Sequence, residues 1–153
     1  MPSNEIPNLT SIIFESLCVL SILGCVSFFN VYCFLSIMLS YRNTLNRSKL
    51  HGPKYEISRF VLYTLSLMLT MIISLVIWVL ALIFLELVDN WFDALVYAMS
   101  FFTSSVGDFK VTMPIGWRLM PSIISVSGLF AFAGATAAAI GMAHALIEHI
   151  DKK

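Results

Sequence analysis

The chain has 153 residues, 59% of them hydrophobic and 12% charged, with nine basic and nine acidic side chains and a mean hydropathy of +0.89. A soluble domain carries about 25% charged residues, so this composition leaves too little polar surface to cover a water-soluble core. A net charge of zero gives no basic excess to hold a nucleic acid.

Charges are nearly absent from three apolar stretches, residues 9–39, 60–87 and 119–147. Each reaches the roughly 20 apolar residues needed to cross about 30 Å of hydrocarbon as a helix. Only the first contains a charged residue well inside its limits, Glu15, within two turns of its start. A secretory signal peptide is the competing reading of that stretch. Residues 1–8 carry Glu5 and no Lys or Arg, and the apolar run is about twice the usual length, so it is expected to be a retained span. Cys18, Cys25 and Cys33 recur near one face of it and are expected as small packing residues. They show neither metal-ligand spacing nor a Cys-x-x-Cys pair.

Residues 41–59 read as a basic loop, with Arg42, Arg47, Lys49, Lys54 and Arg59 against Glu56, and with a turn at His51, Gly52 and Pro53. With Lys152 and Lys153, seven of the nine basic residues share one side after three crossings. The positive-inside rule makes that side cytoplasmic. The chain is thus expected to be a multi-pass protein of the cell membrane, N-terminus outside and C-terminus inside. Glu5, Glu86, Asp89 and Asp93 fall on the outer side, and Trp91 and Trp117 lie where an outer aromatic belt is expected.

Residues 88–118 are too apolar for a simple outer loop. Asp89 and Asn90 are good helix caps, and residues 91–103 (WFDALVYAMSFFT) make about 20 Å of helix, too short to cross. A half-helix dipping in from the outside fits both facts, followed by a polar return through Ser104, Ser105, Val106, Gly107, Asp108 and Phe109. Irregular backbone at membrane depth is tolerated where it is buried in protein or lines a wet cavity. The half-helix points the negative end of its dipole inward, and the return can offer carbonyls in place of an ion's hydration shell. One chain cannot enclose such a path, so symmetry must complete it.

The run Ser104-Ser105-Val106-Gly107-Asp108-Phe109 resembles the filter T-T-V-G-Y-G of potassium channels, and more closely the T-T-V-G-D-G of bacterial channels that pass both sodium and potassium. Pro114 and Trp117-Arg118-Leu119 resemble the run that opens the inner helix of small bacterial potassium channels. Gly128 falls at that family's hinge glycine, and Thr136-Ala137-Ala138 matches a T-A-A further along the same helix. The resemblance covers about residues 60–147. It implies a homotetramer of three transmembrane helices per subunit with a re-entrant pore helix and filter loop. Residues 1–59 would add an extra helix and a basic cytoplasmic loop, and residues 60–153 would form the pore domain. The implied partners are the bilayer, further copies of the chain and monovalent cations. Potassium or sodium ions would be held in the filter, with no other cofactor or metal.

Several residues depart from the pattern. Phe109 replaces a filter glycine where a positive φ is required, and Lys110 reverses the charge that normally follows. Asp108, in four copies, would form an acidic ring. A shifted register, with Gly107-Asp108 at the end of the motif, would leave a shorter filter. Either register favours a weakly selective monovalent pore. Residues 105–108 would otherwise be a capped turn in a membrane hairpin. Gly128 reads as a hinge or as a close-packing residue, and Gly134, Ala137, Ala138 and Gly141 read as packing. His144 and Glu148, at i and i+4, could form a proton-sensitive gating ring or an ordinary solvated pair. Asp89, Asp93 and Lys110 would form the outer vestibule. A non-conducting interaction subunit of the same fold is the alternative function. No phosphate loop, nucleophile elbow or zinc pattern supports an enzyme.

Overall fold

The computed structural model describes residues 9–47, 53–105, 113–114 and 117–151, and four helices account for most of them. They are α1 (Leu9–Arg47), α2 (Pro53–Phe84), α3 (Trp91–Phe102) and α4 (Met120–Asp151). There is no strand among the described residues. The segments Ile13–Leu45, Lys54–Phe84 and Met120–Asp151 are each long and apolar enough to cross a membrane, which is the pattern of a membrane protein. Polar side chains in these helices return hydrogen bonds to their own backbone. Thr44 donates to the Ser40 carbonyl, Thr64 to Phe60, Ser66 to Leu62 and Thr70 to Ser66, so no hydroxyl among these needs water.

The long helices overrun the apolar stretches at one end. Residues 41–47 continue α1 and residues 53–59 begin α2, so most of the segment read as a basic loop is helical. Proline suits the first turn of a helix, and the side chains explain the rest. Tyr41 and Leu45 are buried, and Tyr41 packs edge-on against Phe60 and Tyr63 with ring centroids 6.2 and 5.3 Å away. The turn expected at residues 51–53 lies partly outside the described residues.

Two compact units divide the chain, residues 1–27 with 75–129 and residues 28–74 with 130–153. In the second, Phe34, Tyr41, Leu45, Leu67, Ala138 and Met142 form the core. Ser74 donates to Asn30 at 2.6 Å inside it, so the one amide in the middle of α1 is satisfied rather than stranded. Gly134 and Gly141 let α4 approach Phe34 and Met38, the packing role expected of them. Ala138 joins the core, while Ala137 is exposed. The first unit holds the short helix α3 and is described next.

Candidate functional site

The short helix is where the sequence puts it. Asn90 caps α3, its Oδ1 accepting from the Phe92 amide at 3.1 Å, and Asp93 in the first turn complements the helix dipole. Ala94, Tyr97, Ala98 and Phe102 make a single buried stripe, whereas Trp91, Phe92, Val96 and Met99 are exposed.

The C-terminal end of α3 is closed by paired backbone bonds. The Ser104 amide reaches the Phe101 carbonyl at 2.9 Å and the Ser105 amide reaches the Ser100 carbonyl at 2.7 Å. This cap puts its penultimate residue in the left-handed region, usually a glycine. Here it is Ser104, at φ 55. The same device ends α2, where Glu86 at φ 54 bonds back to Ile83 and Leu87 bonds back to Leu82. Ser104 is therefore part of the helix cap, and the chain leaves α3 at Ser105.

This end is seated on α4. A Cβ built on Gly128 would lie 1.9 Å from the Phe102 carbonyl oxygen, 2.8 Å from its carbon and 3.0 Å from its Cα. Glycine is required there because backbone meets backbone. One turn earlier on α4, Ser125 Oγ lies 2.9 Å from Ser104 Oγ. Beside Gly128, Ser127 accepts a 3.0 Å hydrogen bond from the Trp78 indole of α2, both side chains being buried. Gly128 thus marks a contact point between helices, and nothing about its surroundings is specific to a hinge.

Of the other sequence-derived residues, Ser104 and Ser105 are both exposed. Val106, Gly107, Asp108, Phe109 and Lys110 lie outside the described residues. Asp89 and Asp93 are exposed near the start of α3, and His144 and Glu148 are exposed on α4. The histidine that meets a carboxylate across helices is a neighbour of that pair. His149 Nε2 lies 3.4 Å from Glu56 Oε1, and the Glu56 side chain is 1% exposed. Sequence reasoning missed this contact, as it missed Ser125 and the Trp78–Ser127 bond. Each joins residues far apart in the chain, and a polar residue on an apolar helix is the only sequence signal that any of them leaves.

The chain matches no family model, no curated protein and no solved structure.

Proposed function

We propose that the chain is one subunit of a homotetrameric pore-loop cation channel that passes monovalent cations down their gradient. The observation that carries this reading is where the short helix ends. The tip of α3 meets α4 at Gly128, eight residues after Met120 and so about 12 Å along a helix that is long and apolar enough to cross a membrane. A half-helix seated at that level brings the negative end of its dipole to the hydrocarbon. Such an end is stable there if it faces a cation or water enclosed by copies of itself.

The filter in this reading is Ser104 to Phe109, with Ser105, Val106, Gly107 and Asp108 supplying the ligands and α4 lining the cavity. Phe109 in place of glycine leaves fewer ordered carbonyl rings than a potassium filter has, so potassium and sodium are weakly discriminated. The N-terminus lies outside the cell and the C-terminus inside, following the basic residues. The test is flux through liposomes containing the purified protein, measured for potassium, sodium and a large organic cation. The expected result is flux of the first two and exclusion of the third; no flux of any would refute the proposal.

Phe109 and Lys110 favour a second reading, a subunit of this fold that does not conduct and works by binding a partner. It is distinguished by the same measurement, since it requires that the purified protein pass no cation alone.

A further inference from the structure

Strain by itself does not single out Ser104. Glu86 holds the same left-handed cap position on α2 with an exposed side chain, so a non-glycine residue there needs no functional cause. What distinguishes Ser104 is its hydroxyl partner, Ser125 Oγ, at 2.9 Å on a helix 21 residues away in sequence. Ser125 and Gly128 are three residues apart and so share one face of α4. The end of α3 is consequently fixed at two points. The backbone contact at Gly128 sets how far the half-helix reaches along α4. The hydroxyl contact at Ser125 adds a tie from Ser104 to α4 beyond the backbone bonds of the cap itself.

We propose that Ser125 is a positioning residue for cation selectivity, holding through Ser104 the first ligand-bearing residue of the return segment in place. The inference rests on the channel reading. Size discrimination among small cations needs ligands held to within a fraction of an ångström, and Ser105 is the first candidate ligand after the cap. Without the tie to α4, the backbone bonds of the cap alone hold Ser104 and Ser105, and the end of α3 yields more readily to whichever ion is present. Alanine at position 125 removes the hydroxyl without perturbing a helix, and threonine restores it.

The experiment compares wild type, S125A and S125T in liposomes by the ratio of potassium to sodium flux, with amide exchange at Ser104 and Ser105 measured on the same preparations. Losing one hydrogen bond loosens the held state by about five-fold. S125A is therefore expected to shift the flux ratio by up to that factor and to raise exchange at both amides, while S125T matches wild type in both. A conducting S125A with the wild-type ratio overturns this inference alone, as does unchanged exchange or an S125T that behaves like S125A. A wild type that passes no cation overturns the channel reading, and the inference falls with it.

Discussion

Replacing Gly128 by alanine separates two roles by the sign of the effect. As a helix hinge, Gly128 would be improved by alanine, which gains about 1 kcal/mol in helix propensity. As a contact point, it admits no Cβ. The added carbon would sit 1.9 Å from the Phe102 oxygen, with backbone carbon and Cα at 2.8 and 3.0 Å. No rotamer change relieves a clash with backbone, so the tip of α3 must withdraw by about 1.5 Å to restore ordinary contact. Overpacking of this kind costs about 3 kcal/mol. The same withdrawal stretches the 2.9 Å Ser104–Ser125 bond beyond hydrogen-bonding range and loses about 1 kcal/mol more. Against the propensity gain, the net is a loss of about 3 kcal/mol. Reversible unfolding in mixed micelles measures it. Gly24, with nothing within 4 Å of its added Cβ, is the control, and G24A should be neutral or stabilised by up to about 1 kcal/mol. A G128A protein as stable as G24A would refute the contact.

Two glycine substitutions test the caps: E86G should gain about 1 kcal/mol by removing left-handed strain, and S104G should gain less because it forfeits Ser125, both read by unfolding. Equal gains would show that the Ser104 hydroxyl contributes nothing. H149A removes the imidazole 3.4 Å from the buried Glu56 carboxylate and should cost about 1–3 kcal/mol; adding E56Q should recover part of that loss in the same assay. S127A strands the buried Trp78 indole N–H at a cost of about 1–3 kcal/mol, visible also as a blue shift in tryptophan emission.

The three long helices were legible because a span announces itself by length and hydropathy alone. Their ends were not. Hydropathy marks where lipid begins, whereas α1 and α2 continue into residues such as Arg42 and Lys54, held by Tyr41, Leu45 and Phe60 packing beneath the charges. The short helix was legible nearly to the residue, because Asn90 is a cap by chemistry and Thr103 stands at the other end. Partners across helices were not legible. Trp78 and Ser127, or Glu56 and His149, could be paired only once the faces of three helices were known. His144 and Glu148 attracted notice through an i,i+4 spacing that any helix offers, whereas the contact of His149 with Glu56 has no counterpart in spacing. Gly128 read as a hinge or as a close-packing residue, and the sequence held no sign of the Phe102 carbonyl that makes glycine necessary.

The tip of α3 concentrates what remains to be explained. Its exposed flank, Trp91, Phe92, Val96 and Met99, suits hydrocarbon and asks for no further partner. Its end does not, because Thr103, Ser104 and Ser105 are all exposed and three successive hydroxyl-bearing residues are costly in lipid. Thr103 turns back to the Met99 carbonyl at 2.9 Å, and Ser104 is taken up by Ser125. Those two bonds lie within a single chain. Ser105 follows them, within the run that resembles a cation filter. A hairpin serving only to join two spans would have no reason to carry this much polarity to the level of Ser125, about 8 Å along α4; a path shared by several copies would, and that difference is why we propose the channel rather than the capped turn.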